Sequence, residues 1–254
     1  MPADGVVVWR IPLDTDEAAV RAALDGLTGP ERDRAGRFRR PRDGRRWAVA
    51  RAGLREVLGR ALGRDPSAVE LEARPGTKPV LAGGDDSLHF SLSHSGDLAL
   101  VALSRRAPVG VDCERIRELS DLTALTRRVF APAERERWLR TPEPGRLRAF
   151  FEQWTCKESV VKATGDGLAV ALDRVEIDVG PDGRPRLRGY PALDPGSPAW
   201  TLFRLGLGPS WAGAVTVLAE VAECRLRRLD SPESLSTGSP GDRSRRTASR
   251  RTRS

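Results

Sequence analysis

Residues 6–11 (VVVWRI) form a short apolar run that predicts a strand. Asp14, with Glu17 three residues on, predicts a capping box for a helix through Leu27. Pro30 opens a second helical piece that reaches about Phe38. Over residues 45–62 the apolar positions fall into a helical period. Trp47, Ala50, Leu54, Val57, Leu58 and Leu62 share one stripe, which predicts a long amphipathic helix. Strands are expected near residues 68–73, 88–93 and 98–103.

The order then repeats. Residues 108–114 (PVGVDCE) predict a strand, residues 119–129 a helical stretch, and Pro132 the first turn of a short helix. A second long helix is expected over 146–164, with strands near 175–179, 186–188, 200–205 and 212–218. Strand, short helices, long helix and strands, twice over, predict an α+β pseudo-dimer. Each of its two similar halves has a long helix packed on a small, mainly antiparallel sheet. The halves are expected at 1–106 and 107–229, with a junction near 105–108 that favours ligand binding.

Composition narrows the class. The chain has 254 residues and carries a net charge of +8. Residues 231–254 hold six arginines against Glu233 and Asp242, so half of that excess sits in a Ser/Arg/Pro/Gly tail. With one leucine and no aromatic residue there, residues 230–254 are expected to form a disordered basic tail. Cys113, Cys156 and Cys224 are too widely spaced for a disulfide framework or a zinc site and suggest a cytoplasmic protein. No run of about 18 apolar residues predicts a membrane span, and the first residues do not read as a signal peptide. Of the 43 basic residues only Lys78, Lys157 and Lys162 are lysine. Lysine and arginine are not interchangeable at a proton-transfer site, so these three stand out.

Four stretches carry chemistry. In FFEQWTCKESVVKATGDGL (150–168) a turn of about 100° per residue puts Phe150, Trp154 and Val161 on a buried stripe. Glu158 lies beside that stripe, Lys162 further round and Lys157 on the opposite edge. Glu158 and Lys162 are also placed for an ordinary helix-surface ion pair. In VGVDCERI, strand alternation puts Asp112 and Glu114 on one face and Val111 and Cys113 on the other. Two carboxylates side by side suit a divalent cation with substrate phosphates. Residues 88–103 predict a hairpin with a bend over 94–97, which offers Ser93 and His94 to a ligand. PGTKPV presents Lys78 in a turn suited to phosphate.

GTKP, SLSHSGD, VGVDCERI, VFAPAE and WTCKESVVKATGDGL, in that order, resemble the signature of the 4′-phosphopantetheinyl transferases. The likeness is to the larger two-lobed type that activates surfactin and other peptide synthetases. The resemblance implies transfer of the 4′-phosphopantetheine arm of coenzyme A to a serine of an acyl, peptidyl or polyketide carrier protein, with release of adenosine 3′,5′-bisphosphate. It implies that Asp112, Glu114 and Glu158 hold Mg²⁺, or Mn²⁺ in its place, and that Asp112, Glu158 and Lys162 are catalytic. Lys162 either protonates the leaving phosphate or steadies its charge. Glu158 is the candidate base, directly or through a metal-bound water. Lys78, Ser93 and His94 match positions that bind coenzyme A, and Arg32, Arg34, Arg46, Lys157 and Lys162 join them. A chain with both halves present implies a monomer with an internal site, without membrane or nucleic-acid partner. The competing reading is a non-catalytic nucleotide- or nucleic-acid-binding protein that uses the basic tail.

Overall fold

The computed structural model describes residues 5–72, 79–83, 87–191 and 199–229. In chain order its elements are β1 (Gly5–Pro12), α1 (Glu17–Asp25), α2 (Gly29–Gly36), α3 (Pro41–Leu62), β2 (Leu71–Glu72), β3 (Val80–Leu81), β4 (His89–Ser95), β5 (Leu98–Ser104) and β6 (Val109–Arg115). Then follow α4 (Leu122–Val129), α5 (Pro132–Leu139), α6 (Glu143–Thr164), β7 (Glu176–Val179), β8 (Pro185–Gly189), β9 (Thr201–Arg204), β10 (Trp211–Val217) and β11 (Glu223–Arg228).

The sequence LALVALS of β5 is apolar on both faces, and every residue of the strand is buried. Ala99, Val101 and Leu103 pack with Leu54, Val57 and Leu58 of α3. Leu98, Leu100 and Ala102 face the other way and pack with Val109, Val111 and Cys113 of β6 and Val215 and Val217 of β10. On the far side of that second sheet, Cys156, Val160 and Val161 of α6 meet Ala214 of β10. The layers are therefore helix, sheet, sheet, helix, with one long helix for each half.

The first sheet has the order β11-β1-β5-β4 and the second β6-β10-β9. Among the described residues only β11 runs parallel to its neighbour; every other strand pairing is antiparallel. The α+β expectation of two halves with small, mainly antiparallel sheets is met. One strand escaped the sequence pattern: β11 (ECRLRR) comes from the chain's last described segment yet lies beside β1 in the first sheet. Its charged, mostly exposed positions hide the strand period, as suits a sheet edge.

Helix ends follow local chemistry with one correction. The N-cap of α1 is Asp16, which accepts the Ala19 N–H at 2.8 Å. Asp14 is drawn off to Arg42 and Arg46 instead. Pro41, in the first turn, starts α3 four residues earlier than the apolar stripe indicates. Gly63 (φ 67°) and Gly165 (φ 83°) end the two long helices in the left-handed region. The strand expected over 68–73 contracts to β2 after a 3₁₀ turn at Pro66–Ala68; Ala73 lies outside the described residues. The expected bend at His94 is also corrected: His94 stays in the β4–β5 ladder opposite Ala99, and Gly96 (φ 52°) makes the turn.

Candidate active site

The two sheets meet through three serine hydroxyls. Alternation along β4 aims Ser91, Ser93 and Ser95 at β6, where they accept the N–H groups of Val111, Cys113 and Arg115 at 3.2, 3.3 and 3.3 Å. Two of these hydroxyls also donate to the carboxylates between them. Ser93 Oγ gives to Asp112 Oδ1 at 2.8 Å and Ser95 Oγ to Glu114 Oε2 at 2.7 Å. The seam between the halves thus orients two acids.

Gly110 brings the helix to those acids. A Cβ there would stand 2.1 Å from the Ser159 carbonyl and 2.3 Å from the Ala163 amide nitrogen, so only glycine lets β6 touch α6. The same face of β6 carries Asp112 and Glu114, as alternation predicts. Lys162 crosses this contact. Its Nζ lies 2.6 Å from Asp112 Oδ1 and 3.0 Å from Ser93 Oγ. The helix-surface pairing of Lys162 with Glu158 is absent among the ion pairs of the described residues. Asp112 is 4 % exposed, and its Oδ2 is buried without a hydrogen-bond partner.

Glu114 and Glu158 border this pair. Burial pushes both carboxyls above the usual range, and the charge of Asp112 adds to the effect on each. Ser95 opposes the shift at Glu114, and Lys162 opposes it at Glu158. Among the described residues no three His, Cys, Asp or Glu side chains stand arranged to hold a metal ion. Of the expected triad of Asp112, Glu114 and Glu158, Asp112 has one oxygen paired with Lys162. The chemistry of the donors suits a hard cation: one orphaned buried oxygen and two carboxyls raised by burial and by the charge of Asp112. Cys113 and Cys156 are buried core residues. Burial raises their thiols to about 12 and about 11.

A cleft of about 690 Å³ opens from the other side of β4. Leu92 and His94 line it there, Arg34, Trp47, Arg51 and Arg55 on the helical side, and Ser67 and Pro79 beyond. His94 keeps contact with solvent, and desolvation by the cleft, then the charges of Lys162 and Arg34, disfavour the charged form of its imidazole. Arg34 lies 5.2 Å over the Trp47 ring. Arg51 and Arg55 were not singled out in the sequence. Both pair with Glu31, and all three line the cleft.

Three of the expected coenzyme A contacts are engaged elsewhere in the structure. Arg46 spends Nε and Nη2 on Asp14 at 2.7 Å each, and Arg32 donates to the Leu27 carbonyl; neither lines the cleft. Lys157 is 0 % exposed, with its Nζ 2.5 Å from Glu134 and bonded to the carbonyls of Leu172 and Val175. It is not part of the lining of the cleft. Lys78 and the tail lie outside the described residues.

A cleft with arginines in its lining on one side of β4 and a lysine–carboxylate centre on the other suit a phosphorylated substrate. Sequence comparison makes this specific. The model of the 4′-phosphopantetheinyl transferase superfamily matches residues 108–216, and that of the 4′-phosphopantetheinyl transferase N-terminal region matches residues 14–106. The 4′-phosphopantetheinyl transferase HetI of Nostoc sp. is 38 % identical over 217 residues, which cover 85 % of this chain and 88 % of that protein. A putative 4′-phosphopantetheinyl transferase of Synechocystis sp. is 32 % identical, covering 67 % and 69 %. The 4′-phosphopantetheinyl transferase Sfp of Bacillus subtilis is 27 % identical, covering 62 % and 69 %. This chain belongs to the 4′-phosphopantetheinyl transferase superfamily.

Proposed function

We propose that this protein transfers the 4′-phosphopantetheine arm of coenzyme A to a serine hydroxyl of an acyl, peptidyl or polyketide carrier protein, leaving adenosine 3′,5′-bisphosphate. The observation that carries the reading is the 2.6 Å contact between Lys162 and Asp112, made across the seam where Ser93 and Ser95 hold the two strand acids.

In the transfer, the serine oxygen forms a bond to the phosphorus that bears the pantetheine arm, and the bond from that phosphorus to the bridging oxygen breaks. The serine proton goes to Glu158, whose raised carboxyl is a better match to a proton acceptor at neutral pH than an ordinary glutamate. The departing phosphate gains negative charge, which Lys162 faces with a compact ammonium that can also give up a proton. Arg34 provides the cleft with charge for the phosphates of the adenosine part, while Arg51 and Arg55 are held by Glu31 in its wall. Asp112, Glu114 and Glu158 would hold Mg²⁺, or Mn²⁺, which supplies charge neutralisation at the pyrophosphate. Both halves contribute to this one centre, so we infer that a single chain suffices. No described helix is long and apolar enough to cross a membrane.

The test is to incubate an apo carrier protein with the full chain, coenzyme A and MgCl₂, and to weigh the carrier by mass spectrometry. The expected gain is one phosphopantetheine on its serine. No gain on any panel of acyl, peptidyl and polyketide carriers removes the reading.

A further inference from the structure

We propose that Glu134 and Lys157 are a buried positioning pair that sets the rotation of α6 and so places Glu158 and Lys162. The inference rests on the transfer reading above. VFAPAE, the stretch that contains Glu134, and Lys157 are sequence features that the transfer chemistry leaves unused.

Glu134 is 4 % exposed and sits in the first turn of α5. Four donors converge on its two oxygens. Oε2 accepts from the Ala131 N–H at 2.7 Å and from Lys157 Nζ at 2.5 Å. Oε1 accepts from Gln153 Nε2 at 2.7 Å and from the Ile177 N–H at 2.7 Å. One carboxylate therefore ties α5 to β7 and clasps α6 at two points one turn apart. Lys157 continues the tie. It donates to the Leu172 carbonyl at 2.9 Å and to the Val175 carbonyl at 2.6 Å, which fastens the segment leading into β7. Gln153 also donates to the Ile177 carbonyl at 3.1 Å.

Helix geometry makes this clasp relevant to the site. Gln153 and Lys157 are about 40° apart around α6, as are Glu158 and Lys162. The centres of the two pairs are separated by about 140°. The clasp thus grips the back of the helix while its front faces Asp112. A buried ion pair adds little stability over well-packed apolar side chains, but its hydrogen bonds admit only one helix rotation. Apolar packing alone would leave α6 free to settle a few degrees away, and a misplacement of about 1 Å at reacting groups costs about 100-fold in rate.

The experiment compares Lys157→Met and Glu134→Gln with Leu54→Ala, a core truncation in α3 that destabilises without touching α6. Transfer is measured in the full chain below every melting midpoint. The expected result is a kcat reduced about 10–100-fold in the first two variants, with KM for coenzyme A within about twofold of the parent. Leu54→Ala should keep its kcat at an equal or larger loss of melting temperature. Parental kcat in both clasp variants, or an equal loss in Leu54→Ala, overturns the proposal. Should Glu134→Gln not fold, Lys157→Met and Gln153→Met carry the same two outcomes. If the parent itself transfers nothing, the transfer reading has failed and amide exchange decides this one. Faster exchange over residues 158–163 in Lys157→Met than in Leu54→Ala supports the clasp; equal rates overturn it.

Discussion

Lys162 reaches across the seam to Asp112 at 2.6 Å and leaves Glu158, one turn back on its own helix, without that ion pair. The strand acid is nearly fully buried, whereas the lysine keeps contact with water. The two partners therefore respond differently to removal. Lys162→Met strands a buried carboxylate and should cost about 3 kcal/mol of stability. Asp112→Asn leaves a lysine that water can still solvate, and it removes the repulsion felt by Glu114 and Glu158. That variant should melt at or above the parental temperature while its transfer rate falls at least about 100-fold. Thermal melts beside carrier-mass assays separate the two effects.

Divalent cations should stabilise the protein through the same acids. Mg²⁺ is expected to raise the melting midpoint of the parent, and EDTA to reverse the rise. In Glu158→Gln and Asp112→Asn the rise should shrink or vanish. An undiminished rise in both variants would place the cation elsewhere.

Gly110→Ala tests the contact between β6 and α6. The added methyl meets backbone atoms rather than a flexible side chain, so the helix must retreat. A loss of about 3 kcal/mol in urea unfolding is expected, with transfer reduced more than tenfold. A variant as active as the parent would mean that the strand–helix spacing is not critical.

Glu31 predicts an acid limb in stability. Burial by itself would raise its carboxyl, but the Thr28 N–H, Arg51 and Arg55 overrule that and hold it at about 2, against an ordinary 4.5. The stabilisation is complete above about pH 4.5 and is lost as pH falls from there towards 2. It amounts to about 3 kcal/mol at most. Urea midpoints at pH 6 and pH 3 should differ less in Glu31→Gln than in the parent.

Strand period made Asp112 and Glu114 legible in the sequence, because alternation in VGVDCER needs no knowledge of neighbours. The apolar stripe of α6 was legible for the same reason. Lys157 was not. A helical wheel puts it at the edge of the stripe, but α5, β7 and the turn at Leu172–Arg174 cover that edge and bury it. Arg46 and Asp14 show the same limit: along the chain one reads as a ligand contact and the other as a helix cap, and the two pair with each other across a tertiary contact. The strand β11 stayed hidden because its partner β1 lies at the opposite end of the sequence. Arg51 and Arg55 could have been found from their i,i+4 spacing and their burial on a helix otherwise apolar at that face.

The most direct test of the lysine–carboxylate centre is a single-turnover transfer assay with parent, Asp112→Asn, Lys162→Met and the double variant, read by carrier mass and by released adenosine 3′,5′-bisphosphate. The parent should convert apo carrier to holo carrier with one bisphosphate released per carrier. Each single variant should be slowed at least about 100-fold, and the double variant little further, because the two residues act as a unit. Parental rates in either single variant would contradict the assignment.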